Sequence, residues 1–207
     1  RADAKMICPV DGAISQFGNI SKDQIFQAKG HHYTTNALVG DQPALAGKFE
    51  NGLFACLYLS PKDYHRIHMP CDGQLISMTY VPGKLFSVNP LTAQHVPGLF
   101  AVNERVVCEF QSEQFGKFVM VLVGATIVGS MATVWHDAPN KIINPPRTKN
   151  PRSWRYEDRN IHLKQGEEMG RFLLGSTVVM LFEQKTFTFN ADWSPAKSIR
   201  LGEKMGD

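Results

Sequence analysis

The four cysteines of this 207-residue sequence form no Cys-x-x-Cys pair. Cys8, Cys56, Cys71 and Cys108 lie far apart, which argues against a zinc site built on them, and a chain of this size does not call for a disulfide framework. Free buried thiols in a reducing compartment are expected. Repeats and low-complexity segments are absent, so solenoid and linker architectures are excluded. There is no initiator Met and no basic, apolar, small-residue signal pattern. The expectation is a trimmed chain, with any N-terminal targeting or membrane segment out of view. Phe118 to Trp135 carries no charge over 18 residues, close to the roughly 20 that a membrane helix needs. It is rich in Val, Ile and Thr and broken by Gly124, Gly129 and Ser130, so two buried strands are predicted instead.

What is present is ordinary for a globular domain: 43% hydrophobic, 20% charged and a formal net charge of +3. That charge permits contact with anionic lipid or phosphate without demanding it. Strands are predicted over 24–30, Leu53–Leu59, Val178–Phe182 and Thr186–Phe189. Thr34 to Gly40 reads as one capped helical turn closed by glycine. Residues 71–134 read as short strands punctuated at Asp72-Gly73, Pro82-Gly83, Asn89-Pro90, Pro97-Gly98 and Phe115-Gly116. The predicted fold class is α+β and β-dominated: a single compact domain of short antiparallel strands with a few short helices.

Three stretches carry candidate chemistry. The first is Gly175-Ser176-Thr177, between two apolar runs. Gly175 lacks a Cβ, so a neighbouring group can approach its carbonyl closely. The second is Ser60 to Pro70. Ser60 as N-cap, Pro61 and Asp63 predict a short helical turn, which would place His65 and His68 on one face. Such a pair can bind a metal, but no third ligand is evident, and hydrogen bonding at a loop accounts for both equally well. The third is the Asp11-Gly12 turn, where a plain turn-former is the simplest account of Asp11. Together Asp11, His68 and Ser176 form an acid, base and nucleophile set. The set alone is weak, because any chain of this length holds such residues, and Ser176 lacks the Gly-x-Ser-x-Gly elbow of hydrolases.

Two further segments allow a lipid reading. Arg147, Lys149, Arg152, Arg155 and Arg159 surround Trp154 and Tyr156 in a proline-rich stretch. This is either a solvated loop or a contact to an anionic bilayer. Nucleic acid is the weaker alternative, because no binding motif for it accompanies the cations. The apolar loop from Tyr80 to Phe86 can face lipid or pack in the core.

The sequence resembles the bacterial phosphatidylserine decarboxylases, a pyruvoyl-dependent family. Five collinear stretches carry the likeness: Pro9-Val10-Asp11-Gly12, Asp63 to Pro70, Leu122 to Ser130, Gly166 to Phe172, and Leu174-Gly175-Ser176-Thr177. The resemblance runs from about residue 8 to the C-terminus, and family members usually carry a further N-terminal segment that contributes to membrane association. It implies self-cleavage. Ser176, activated by His68 with Asp11 orienting the imidazole, attacks the Gly175 carbonyl. The chain then divides into residues 1–175 (a β subunit) and 176–207 (an α subunit whose first residue is a pyruvoyl group). It further implies decarboxylation of phosphatidylserine to phosphatidylethanolamine through a Schiff base to that covalent pyruvate, with His65 as proton donor and no metal. The implied partners are phosphatidylserine, an anionic membrane surface, and the two cleavage products bound to each other, with a dimer of that pair as an option. No nucleic acid is implied. The implied location is the cytoplasmic face of the bacterial cell membrane, as a peripheral protein. A pyruvoyl decarboxylase of a soluble amino acid, a serine hydrolase using Asp11, His68 and Ser176, and a non-catalytic β-rich binding domain are the alternatives.

Overall fold

The computed structural model describes residues 2–126, 131–135, 142–143 by backbone alone, 149–172, 176–184 and 186–207. In chain order the first strands are β1 (Met6–Ile7), β2 (Gly12–Asn19), β3 (Gln24–Ala28), β4 (His31–Thr34), β5 (Leu53–Leu59), β6 (Arg66–His68), β7 (Gly73–Val81), β8 (Arg105–Ser112) and β9 (Gly116–Val123). They are followed by β10 (Met131–Thr133), β11 (Ile142–Ile143), β12 (Arg152–Arg155), β13 (His162–Leu163), β14 (Glu168–Phe172), β15 (Ser176–Phe182), β16 (Ser198–Ile199) and β17 (Lys204–Gly206). Four short helices interrupt them: α1 (Thr35–Leu38), α2 (Pro43–Ala46), α3 (Pro90–His95) and α4 (Leu99–Val102).

A nine-stranded antiparallel sheet forms the middle of the molecule, in the order β12-β7-β8-β9-β15-β5-β2-β16 with β13 also on β7. A smaller sheet, β11-β10-β14-β6, lies to one side. The alternation along β15 shows how the layers form, because successive strand residues point to opposite faces. Val178, Met180 and Phe182 join a core shared with Ile67, Met131, Met169 and Phe172 of the small sheet. Val179 and Leu181 join a second core with Ile25 and Tyr33 of the β3–β4 hairpin and with Leu38, Leu45, Ala93 and Leu99 of the helices. A strand covered on both faces reads as a continuous apolar run, which is the pattern of Val178–Phe182.

β5 covers the predicted Leu53–Leu59, and α1 is capped as expected, with the Thr34 hydroxyl accepting from the Ala37 N–H at 3.0 Å. The uncharged stretch splits as predicted, but its halves, β9 and β10, belong to different sheets; Gly129 and Ser130 lie outside the described residues. Among the described residues, no helix is long and apolar enough to cross a membrane. Asn89-Pro90 is a helix start rather than a strand turn, since Asn89 Oδ1 accepts from the Thr92 N–H at 2.9 Å and Pro90 opens α3.

Two expectations are corrected. Residues 60–68 do not form a helical turn. Asp63 accepts from the Ser60 N–H at 2.7 Å, closing a tight turn, and the chain then extends as β6. Pairing of β6 with β14 supplies backbone partners that an isolated helical turn would lack. Thr186–Phe189 is not a strand either. Phe187 and Phe189 instead pack edge-on, with centroids 4.8 Å apart. Phe189 also stacks on Trp193 and meets Phe17 edge-on, while Thr188 exchanges backbone hydrogen bonds with Asp207 at 2.9 and 3.1 Å and Phe189 makes an isolated antiparallel bridge to Gly206.

In the basic stretch, Arg152–Arg155 forms an edge strand on β7. Its aromatic residues turn inward: Tyr156 is buried, and Arg152 lies 5.0 Å over the Trp154 ring. Arg147 lies outside the described residues.

Candidate active site at the Ser176 crossing

Ser176 is the first residue of β15 and is fully buried. Before it, the chain runs along β14 in the small sheet, so residues 173–175 carry it from one sheet to the other. Gly175, the other half of the expected cleavage bond, lies outside the described residues. The two sheets therefore meet in sequence at the serine.

Ser176 pairs with Leu59, and the next row across the large sheet is Ala13, Tyr58, Thr177. Adjacent strands are about 4.8 Å apart, so the starts of β2 and β15, flanking β5, lie about 10 Å from each other. Asp11 immediately precedes β2. Glycine is required at position 12, because a Cβ there would stand 2.2 Å from the Tyr58 carbonyl oxygen. The Asp11 carboxylate accepts from the Leu201 N–H at 2.7 Å, tying the start of β2 to the C-terminal segment.

β6 brings in the histidines. The His68 N–H donates to the Pro9 carbonyl at 2.9 Å, which places the Pro9–Gly12 segment beside it. The imidazole has two neighbours: Nδ1 lies 2.8 Å from the Gly166 carbonyl and Nε2 lies 3.3 Å from the Tyr64 hydroxyl. A carbonyl only accepts, so Nδ1 of the neutral ring carries the proton and Nε2 presents its lone pair. In this structure the orienting acceptor is thus Gly166 and not Asp11. Gly166 has φ +85°, and its N–H donates to the Met69 carbonyl at 2.9 Å, so the loop is pinned to the end of β6.

His65 is held against the end of β14. Its carbonyl accepts from the Phe172 N–H at 2.9 Å, one residue before the crossing segment begins. Its Nε2 is buried without a hydrogen-bond partner among the described residues, as are Ser60 Oγ and Thr177 Oγ1. Ser60 follows the residue paired with Ser176, and Thr177 follows Ser176 itself. Unpartnered buried polar atoms cost about 1–3 kcal/mol each; of the three, Thr177 follows Ser176 on β15 and so points to the opposite face of the sheet.

Charge nearby is paired. Arg66 donates to Glu168 at 2.7 Å, and Arg171 lies 3.2 Å from the same carboxylate. Burial, with the Asp63 charge second, raises the Tyr58 hydroxyl above its ordinary value.

The structure therefore brings Ser176, His65, His68 and Asp11 to one end of the sheets, but it does not join His68 to Asp11 or to Ser176 by a hydrogen bond. Sequence reasoning assigned no role to Gly166, Tyr64 or Thr177 Oγ1, and took Ser60 only as an N-cap. For Gly166 no local signal exists, because its partner is 98 residues away.

The whole chain, residues 1–207, matches the family described as phosphatidylserine decarboxylase. It is 69% identical over 205 residues to the phosphatidylserine decarboxylase proenzyme of Dechloromonas aromatica (strain RCB), covering 99% of this chain and 71% of that one. It is 67% identical over 205 residues to the proenzyme of the same name from Methylobacillus flagellatus, with the same coverage, 99% and 71%. Against the one from Azoarcus sp. (strain BH72) it is 68% identical over 206 residues, covering 100% and 70%. With relatives this similar and a match that leaves no residue out, the chain belongs to the phosphatidylserine decarboxylase family.

Proposed function

We propose that this chain is a carboxy-lyase that converts phosphatidylserine to phosphatidylethanolamine, and that it first cuts itself between Gly175 and Ser176. Family membership supports the decarboxylation. The observation that carries the site is the buried Ser176 at the sheet crossing, flanked by His65 Nε2 without a partner and by a His68 whose Nε2 lone pair is set by Gly166.

In the cleavage step His68 Nε2 takes the Ser176 hydroxyl proton while Ser176 Oγ bonds to the Gly175 carbonyl carbon. The Gly175–Ser176 amide C–N bond breaks, the freed nitrogen is protonated, and an ester remains. Loss of the Ser176 α-proton then expels the Gly175 carboxylate. Tautomerisation and hydrolysis release ammonia, leaving a pyruvoyl group at position 176. Asp11, fixed by the Leu201 N–H at 2.7 Å, completes the acid, base and nucleophile set at this end of the sheets.

When present, the pyruvoyl group supplies a conjugated carbonyl that accepts the electrons left by departing CO₂. His65 returns a proton to the substrate carbon, and its position beside Phe172 keeps it at the crossing. Burial of Ser176 excludes water from it. The products 1–175 and 176–207 stay together as a heterodimer, since β15 lies between β5 and β9. The protein acts peripherally at an anionic membrane, on the cytoplasmic face.

Denaturing intact-mass measurement tests the cleavage: two polypeptides are expected, the smaller with a blocked N-terminus. Ser176→Ala should give one uncut chain, and His68→Ala should slow cleavage. His65→Ala should cleave normally yet lose decarboxylation of phosphatidylserine by about 10²-fold or more, the usual contribution of a positioned acid. A His65→Ala chain that fails to cleave would show that the roles of the two histidines are misassigned.

A further inference from the structure

Five large hydrophobic side chains stand exposed among the described residues: Phe26, Tyr64, Phe86, Leu91 and Val102. Tyr64 belongs to the site. The other four fall in the hairpin-and-helix layer that covers the second core, on the segments 24–34 and 82–103. Those two segments hold Lys29, Lys84, His31, His32 and His95 and no aspartate or glutamate. Asp23 and the exposed Asp41 flank the first segment, and Glu104, which follows the second, is only 6% exposed.

Hydrogen bonds fasten the two segments to each other. Gln27, itself buried, donates to the Ala93 and Val96 carbonyls at 2.8 Å each and accepts from the Leu99 N–H at 2.9 Å, fastening the hairpin to α3 and α4. Asn103, fully buried, accepts from the Phe86 N–H at 3.1 Å and donates to the Phe86 carbonyl at 2.8 Å. It also donates to the Gly124 carbonyl at 2.9 Å. Phe86 is therefore clamped, with its ring 43% exposed.

This face also opens at the site's end of the large sheet. Val81 pairs with Arg105, Arg105 with Val123 and Val123 with Thr177, so the loop leaving β7 emerges in the same row as the start of β15. Three strand spacings separate them, about 15 Å.

We infer that the surface formed by Phe26, Lys29, Lys84, Phe86, Leu91 and Val102 docks this protein on an anionic phospholipid bilayer. The reading rests on the proposed action on a lipid. Apolar tips enter the headgroup boundary and cations meet the anionic lipid, with no carboxylate on the two segments themselves to repel it. Docking here brings the Ser176 end of the sheet toward the lipid.

Vesicle co-sedimentation tests this, using phosphatidylcholine alone and an equal mixture with phosphatidylglycerol, which is not the proposed substrate. Phe86→Ser combined with Leu91→Ser should lower partitioning about tenfold or more, the scale of losing a buried apolar side chain. Lys84→Glu should erase part of the preference for anionic over neutral vesicles. Phe86→Trp keeps the face apolar and provides a second reading: brominated lipid should quench its fluorescence beyond that of the unaltered chain. Unchanged partitioning in folded variants, or no added quenching, overturns the inference. Self-association in the absence of vesicles that the double variant abolishes also overturns it, by making a second copy the occupant. Decarboxylation by the unaltered chain is measured separately. A chain that binds vesicles but leaves phosphatidylserine intact refutes the proposed function and not the surface; an active chain that ignores vesicles refutes the surface alone.

Discussion

Gly166 holds the proton of His68 in place from a loop 98 residues away in sequence. Its φ of +85° is one that an L side chain adopts only under strain. Gly166→Ala should therefore cost about 1–2 kcal/mol, read by urea unfolding. It should also slow self-cleavage on denaturing gels, because the carbonyl facing Nδ1 shifts. Asp11 poses a separable question. Its carboxylate accepts from Leu201, and an asparagine oxygen can accept the same N–H. Asp11→Asn is thus expected to leave stability nearly unchanged while slowing cleavage. Slowed cleavage at wild-type stability assigns Asp11 an electrostatic role, whereas normal cleavage reduces it to a latch.

At the scale of elements, β7, β8 and β9 are joined by side chains as well as by backbone. Glu109 on β8, 4% exposed, accepts from Ser77 on β7 at 2.9 Å and from Lys117 on β9 at 3.1 Å, with Lys48 at 3.3 Å. Burial alone would raise its pKa, but the hydrogen bonds from Lys117 and Ser77 and the charges of Lys117 and Lys48 outweigh it and hold the carboxyl below its ordinary value. A carboxyl with a depressed folded-state pKa stabilises above its unfolded value, and that contribution is lost as pH falls through the folded one. Glu109→Gln should therefore lower stability by about 1–2 kcal/mol near neutral pH and flatten the acid limb of a stability–pH curve. An unchanged limb would assign the acid sensitivity elsewhere.

At the scale of the whole molecule, the two cores leave the thiols no solvent. Cys8, Cys56, Cys71 and Cys108 are all free and buried, and burial pushes Cys8, Cys56 and Cys71 up to about 12. A thiol reagent at neutral pH should label none of them in the folded protein and all four in denaturant. Fast labelling of the native chain would mean that a core opens locally. The same packing predicts that a cleaved sample elutes as one species under native conditions although it separates in denaturant.

The local pattern was enough for the elements whose chemistry is local. The apolar run at Val178–Phe182, opening on two β-branched residues, read as a buried strand, Thr34 announced its helix, and the glycines of Phe118–Trp135 favoured two strands over one helix. Ser60 to His68 misled because a cap-like start competes with β pairing, and only the partner strand β14, a hundred residues on, decides that contest. The site divides in the same way. Ser176, His65, His68 and Asp11 were legible as residue types within recognisable stretches, since such chemistry needs a nucleophile, bases and a carboxylate. Which atom orients His68, which polar atoms are buried without partners, and which apolar side chains remain outside depend on contacts between distant segments. These follow from how the sheets and the hairpin-and-helix layer pack, so only the tertiary structure decided them.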